Sequence, residues 1–155
     1  MNVDEIMTRD VQTCRPDQTL AEAANVLWEH DCGVVPVVDD AGRVVGMLTD
    51  RDICMAAFFQ GEPLGSISVR TAMSKEVYAS VLGDDVREAE KTMRERQVRR
   101  LPVLDSRGHL HGLLSVNDLA RSAAGKNGRR VDRGEIVETL GAIGRHRHDI
   151  VAATH

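Results

Sequence analysis

The sequence predicts an α/β (α+β) fold: two pseudo-symmetric repeats, each strand–helix–strand–strand–helix, packed face to face, plus one C-terminal helix. Three observations carry this. The eight-residue stretch GMLTDRDI, from Gly46 to Ile53, recurs as GLLSVNDL, from Gly112 to Leu119. Sliding the chain by the 66 positions that separate Gly46 from Gly112 aligns the two halves without a gap. Met7 then falls on Met73, Glu22-Ala23 on Glu88-Ala89, Pro36-Val37 on Pro102-Val103, and Asp52 on Asp118. Within each half, apolar residues first follow a helical period and then the shorter runs of strands. Two copies are too few for a solenoid and can instead pack face to face about a pseudo-two-fold axis.

Each element has a local reason. VQTC (residues 11–14) and VYAS (residues 77–80) read as short opening strands. The amphipathic helices TLAEAANVLWEHD and DVREAEKTMRERQ follow, with Thr19/Glu22 and Asp85/Glu88 spaced as N-caps with an acid three residues on. Leu20, Ala23, Ala24, Leu27 and Trp28 form one apolar stripe. Two strands come next, VVPVVD and RVVGMLT in the first copy, RLPVLD and HLHGLLS in the second. Each pair is joined by a turn carrying Asp39 and Gly42, or Asp105 and Gly108. Pro36 and Pro102 lack an N–H and are expected at a strand edge or irregularity. A second helix begins at Thr49 and at Ser115. GEPLGSIS (residues 61–68) reads as the linker between copies, which sets the domains at 1–62, 63–124 and a tail at 125–155. In that tail GKNGRR reads as a flexible basic linker. Ile136, Val137, Leu140 and Ile143 are at helical spacing, so a last helix is expected to pack on the module or across a dimer.

Composition excludes several classes. The chain of 155 residues is 42% hydrophobic but only 3% aromatic, so its core is aliphatic and it lacks the stacking platforms of single-strand nucleic-acid binders. A formal net charge of −4 gives no general attraction to nucleic acid or an anionic membrane. No apolar run approaches the roughly 20 residues of a membrane span, and MNVDEIMTRD does not read as a secretory signal. Cys14, Cys32 and Cys54 are widely spaced and odd in number, as expected for reduced thiols in the cytoplasm. His109/His111 and His146/His148 are pairs two residues apart, too few for a metal site, and none is assigned. Arg87, Lys91, Arg94, Arg96, Arg99 and Arg100 are interleaved with Glu88, Glu90 and Glu95 and read as a solvated helix face. No nucleophile–base–acid set, P-loop or G-x-G-x-x-G appears, so no enzyme is read.

The tandem copy, the PVVD..G...G.LTDRDI and PVLD..G...G.LSVNDL blocks and the IMT and AMS openings resemble a pair of CBS domains, often called a Bateman module. The resemblance covers residues 1 to about 124. It implies two clefts between the repeats that hold adenosine-containing ligands: AMP, ADP, ATP, S-adenosylmethionine or dinucleotides such as NAD. It also implies sensing rather than catalysis and a disc-shaped homodimer. The hydroxyl and acid carried over from the family pattern are Thr49 with Asp52 and Ser115 with Asp118. The adenine slot carried over runs over Val11 to Thr13 and Val77 to Ala79, with Val35 and Leu101 before the prolines.

Those residue types suit such a ligand. A carboxylate can accept from both hydroxyls of a ribose, and bonds to a charged acceptor are strong. A Thr or Ser hydroxyl can donate to sugar or phosphate. The backbone N–H groups at a helix start favour an anion. The same T/S-x-x-D spacing is also a capping box, and the two roles are compatible. For Val11, Thr13, Val35, Val77, Ala79 and Leu101 the competing role is ordinary core packing. Arg99 and Arg100, in QVRRLP, stand where family members place basic residues toward a phosphate; CGVVP in the first copy has none. Hence the Ser115/Asp118 site is expected to take the phosphorylated ligand, and the Thr49/Asp52 site a less charged one. Strand alternation predicts that only one of the two arginines faces the ligand.

The expected function is a cytoplasmic regulatory module that requires no cofactor, binds an adenine nucleotide (AMP first among the candidates) and acts in trans on an effector protein. The alternative is a structural or protein-interaction module with degenerate clefts.

Overall fold

The structure, a computed structural model, describes residues 1–125 and 131–146. Most of the basic linker GKNGRR, and His148 of the second histidine pair, lie outside the described residues. In chain order the regular elements are α1 (Leu20–Glu29), β1 (Val34–Val38), β2 (Val44–Thr49), α2 (Asp50–Gln60), α3 (Val69–Ala72), β3 (Ser80–Val81), α4 (Val86–Arg96), β4 (Arg100–Leu104), β5 (Leu110–Ser115), α5 (Val116–Ala124) and α6 (Arg133–Ile143). The predicted mixed α/β order of two repeats and a C-terminal helix is present. Strands β1 and β2 pair antiparallel, and β3, β4 and β5 form a sheet in that order with β3 parallel to β4.

The opening strands are shorter than predicted. In residues 11–14 only Cys14 pairs, bridging Val37 through Cys14 N–H to the Pro36 carbonyl (3.1 Å) and Val38 N–H to the Cys14 carbonyl (2.9 Å). In residues 77–80 only Ser80 is in a strand. The Pro36 carbonyl is thus occupied. Pro36 precedes a register shift between Val37 and Val38, as predicted for a proline. Pro102, by contrast, lies in β4, the middle strand of its sheet. It is tolerated there because β3 is two residues long and pairs only with Val103 and Leu104, beyond the missing N–H. Thr19 and Glu22 form the predicted capping box, whereas Asp85 caps the Arg87 N–H without a reciprocal bond from Glu88.

The chain forms two compact units that interleave the repeats. Unit 1 combines Met1–Arg9, Tyr78–Asp105 and the chain from His111 onward; unit 2 combines Asp10–Val77 with Ser106–Leu110. In unit 1, Thr8 and Leu113 exchange backbone hydrogen bonds of 3.0 and 2.9 Å, and in unit 2 Ser74 and Met47 do the same at 2.9 and 3.0 Å. Each segment lays a methionine on a strand glycine. A Cβ added at Gly112 would stand 2.5 Å from the Met7 sulfur and 2.9 Å from the Thr8 carbonyl; at Gly46 it would stand 2.6 Å from the Met73 sulfur and 2.9 Å from the Ser74 carbonyl. The repeated glycine of the eight-residue pattern is therefore required by close approach.

Aliphatic cores fill both units: Val3, Met93, Leu101, Leu114 and Leu119 in unit 1, and Leu20, Val35, Val37, Leu48 and Ile67 in unit 2. Cys14 joins the second core, where burial pushes its thiol up to about 11, the behaviour of a small hydrophobe. In unit 1, α6 packs on α4 and α5. Arg94 donates to the Thr139 hydroxyl (3.0 Å), the Gln97 amide to the Ala142 carbonyl (3.1 Å), and Arg87 pairs with Glu135 (3.5 Å). Arg87, Glu88, Lys91, Glu95 and Arg96 are exposed, as the solvated-face reading of their interleaved charges predicted, whereas Glu90 and Arg94 lie at the seat of α6.

Under this seat Glu90 is fully buried, with no hydrogen-bond partner on either carboxylate oxygen. It borders a cavity of about 260 Å³ shared with Met1, Asp85, Arg87, Asp132 and Glu135. Burial, and then the Glu135 charge, raise its pKa from 4.5 to about 7 against the opposing pull of Arg94. Between those values the folded chain holds a proton that the unfolded chain has released. Stability therefore falls as pH rises through that window, by roughly 3 kcal/mol at most, and the loss is complete above about pH 7.

Two predictions follow from this packing. Gly46→Ala and Gly112→Ala should each lower stability by roughly 1–3 kcal/mol in urea unfolding, because Met73 and Met7 must move; unchanged midpoints would refute the close approach. Glu90→Gln should melt higher than the wild type at pH 8 and show a flatter melting temperature between pH 5 and 8. A wild type that gains stability relative to this variant as pH rises would contradict the buried proton.

Candidate functional site

Two corners carry the repeated T/S-x-x-D pattern, each inside one unit. The Thr49/Asp52 corner joins β2 to α2 in unit 2, and the Ser115/Asp118 corner joins β5 to α5 in unit 1. Both are complete capping boxes. The Thr49 hydroxyl accepts from Asp52 N–H (3.1 Å) while Asp52 Oδ2 accepts from Thr49 N–H (2.8 Å). Ser115 and Asp118 repeat this at 3.2 and 2.7 Å. The backbone at the strand end is held alike, by Asp50 N–H to the Gly33 carbonyl (3.3 Å) and Val116 N–H to the Arg99 carbonyl (3.1 Å).

The corners differ in what remains open. Asp118 is 3% exposed and wholly engaged: Oδ2 also accepts from the Ser115 hydroxyl, and Oδ1 accepts from the Thr8 hydroxyl (3.3 Å) and from the Arg121 guanidinium. Asp52 is half-buried, and among the described residues nothing occupies its Oδ1. At the position of Arg121 the first copy has Met55, and Ser74, the counterpart of Thr8, turns its hydroxyl to the Glu76 carbonyl. The unit 2 corner thus presents an open carboxylate oxygen suited to a diol. At the unit 1 corner a sugar would have to displace Thr8 or Arg121.

A concavity of about 360 Å³ opens beside the unit 1 corner. Its walls come from Arg99 and Arg100, from Ser115, Val116 and Asn117 at the start of α5, and from Leu140, Ile143 and Gly144 of the C-terminal helix. Both arginines line it, not one as alternation predicted, because Arg99 precedes β4 and only Arg100 belongs to the strand. Among the described residues neither guanidinium has an acidic partner. Two unpaired cations and a helix start make this an anion-favouring surface.

A family model for the CBS domain matches residues 3–58 and 61–125. The chain belongs to the CBS domain family. CBS domain-containing protein YhcV of Bacillus subtilis (strain 168) is 38% identical over 119 residues, 77% of this chain and 83% of that protein. Among solved structures, a conserved CBS domain protein of Thermoplasma acidophilum superposes with a TM-score of 0.77 at 24% identity, over 92% of this chain and 75% of that one. A CBS domain pair crystallised in complex with 5′-methylthioadenosine and S-adenosyl-L-methionine superposes with a TM-score of 0.73 at 24% identity, over 82% of this chain and 98% of that one. At that identity these two likenesses establish the fold of the CBS pair.

The remaining candidate residues divide by burial. Val35 and Leu101 are core residues with no exposed surface, so any part they take in an adenine slot falls to their backbone. Val11, Thr13, Val77 and Ala79 are half-buried. Val11, Thr13, Val35 and Val77 belong to unit 2 with the Thr49/Asp52 corner; Ala79 and Leu101 belong to unit 1 with the Ser115/Asp118 corner. Among the described residues no three of His, Cys, Asp and Glu gather as a metal set, and His111 instead faces Asp105 at 3.5 Å. No described helix is long and apolar enough to cross a membrane. Sequence reading missed Thr8, Arg121 and the wall supplied by α6. The i,i+3 spacing of Asp118 and Arg121 was a readable signal for one of them; the other two depend on tertiary packing.

Proposed function

We propose that this CBS pair is a non-catalytic regulatory module that binds adenosine-containing ligands, AMP foremost, at its two hydroxyl–acid corners. Its occupancy is read by a separate effector protein in the cytoplasm. The observation that supports this most is the complementary chemistry of the corners. Asp52 keeps an acceptor for a ribose diol, and the Ser115 corner adjoins two arginines, without an acidic partner among the described residues, that suit a phosphate. The unit 1 corner takes the phosphorylated ligand, and the unit 2 corner takes a less charged adenosyl compound. The CBS pair crystallised with 5′-methylthioadenosine and S-adenosyl-L-methionine has the same fold and supports the class of ligand. One observation favours a second reading, an interaction module without ligand: Asp118 is already fully satisfied by its own unit.

A thermal-shift panel with AMP, ATP, NAD and S-adenosylmethionine separates the two. A ligand at about 100 times its dissociation constant stabilises by roughly 2.7 kcal/mol, a rise of roughly 5–11 °C for a chain of this size. AMP or ATP should raise the wild-type melting temperature. That rise should disappear in the Arg99→Ala, Arg100→Ala double variant and persist in Asp52→Ala. No shift with any ligand, for folded protein free of nucleotide, would leave the interaction module as the better reading.

We also propose pairing with a second copy through α1 and α2 of unit 2. These helices pack on each other and leave Trp28, Phe58 and Phe59 exposed at 86%, 74% and 75%. Apolar surface of this kind marks interfaces. Light scattering should give a dimer mass for the wild type and a monomer mass for Trp28→Glu, Phe58→Glu. A monomeric wild type would remove the proposal.

A further inference from the structure

We propose that the C-terminal helix α6 is part of the phosphorylated-ligand site of unit 1. In this arrangement Leu140 and Ile143 form the apolar wall on which the base of a nucleoside monophosphate rests, while Arg99 and Arg100 hold its phosphate. The inference rests on the ligand-binding reading above and extends it to residues outside both CBS repeats.

Three observations place the wall. First, the lining of the concavity beside the Ser115 corner combines two cations, Arg99 and Arg100, with the apolar Leu140 and Ile143. A nucleotide calls for both kinds of group. Second, Leu140 is half exposed although it sits on a helix otherwise seated on α4 and α5, so its apolar surface at this rim is left uncovered. Third, α6 is pinned at the same turn. Arg94 holds Thr139, and Gln97 holds the Ala142 and Arg145 carbonyls, at 3.0, 3.1 and 3.4 Å. Thr139 and Ala142 flank Leu140 and precede Ile143, so these bonds fix the wall and a ligand need not order it. Asn117, also at the concavity, brings an amide able to donate to and accept from a base edge. A volume of about 360 Å³ lies at the small end of ligand pockets, which favours a mononucleotide over a dinucleotide.

Because the ligand would touch β4, α5 and α6 together, binding should tighten the seat of the helix. The test is calorimetric titration of the full-length protein with AMP and with inorganic phosphate, in the wild type and in Leu140→Ser. Leu140 is half exposed, so the variant should remain folded, and its melting temperature checks this. Leu140→Ser should weaken AMP by roughly five- to tenfold, the effect of losing one apolar contact, and leave phosphate within about twofold. Amide exchange on the wild type gives a second readout: AMP should slow exchange across Arg133–Ile143, and phosphate alone should not. If AMP binds the wild type and Leu140→Ser equally, or if AMP leaves exchange in α6 unchanged, the inference is overturned while the nucleotide reading stands. If AMP does not bind the wild type at all, both fall.

Discussion

The contact on which the rest depends is a methionine laid across a strand glycine. Met7 covers Gly112 and Met73 covers Gly46, and the next residue in each case hydrogen-bonds the strand that ends in the corner. The glycine lets the opening segment approach to backbone distance. The segment then fixes the strand, and the strand end sets where Thr49 or Ser115 starts its helix. Core, cap and corner are consequences of one close approach made twice.

From that common frame the corners have diverged by a few side chains. In unit 1, Thr8 and Arg121 close on Asp118, and the start of β4 brings Arg99 and Arg100 alongside. In unit 2 the same positions hold Ser74, turned elsewhere, and Met55, and Asp52 stays partly open. The capping box is unaffected by the difference, because it uses only Oδ2, the Thr49 or Ser115 hydroxyl and the local backbone. A carboxylate with two oxygens can hold its helix with one and respond to its surroundings with the other. That division lets a structural motif carry a variable chemistry.

The fold was legible because its signals are local or repeated. Helix periodicity, the Thr19/Glu22 box, Asp and Gly at the strand turns, and the in-register second copy each act over a few residues or a fixed offset. The corners were legible for the same reason. What escaped was non-local. Nothing near residue 118 says that Thr8 will reach it from 110 positions away. The opening strands shrank to a bridge at Cys14 and a pair at Ser80–Val81 because their extent is set by the partner strand. Glu90 read as one of several solvated acids on α4, since its burial depends on a helix that follows more than 40 residues later. Pro102 in a middle strand shows the converse: a sound local rule, relaxed by a neighbour only two residues long.

Because each unit is assembled from both ends of the alignment, the repeat seen in the sequence is not the piece that folds. A fragment beginning at Tyr78 would carry the whole Ser115 corner yet lack Met1–Arg9. Leu113 would lose both of its backbone hydrogen bonds to Thr8, Gly112 would lose the covering Met7 sulfur, and Asp118 would lose one of its donors. Each copy therefore lends the other a segment: Met1–Arg9 goes to the unit of the second copy and Ser106–Leu110 to the unit of the first.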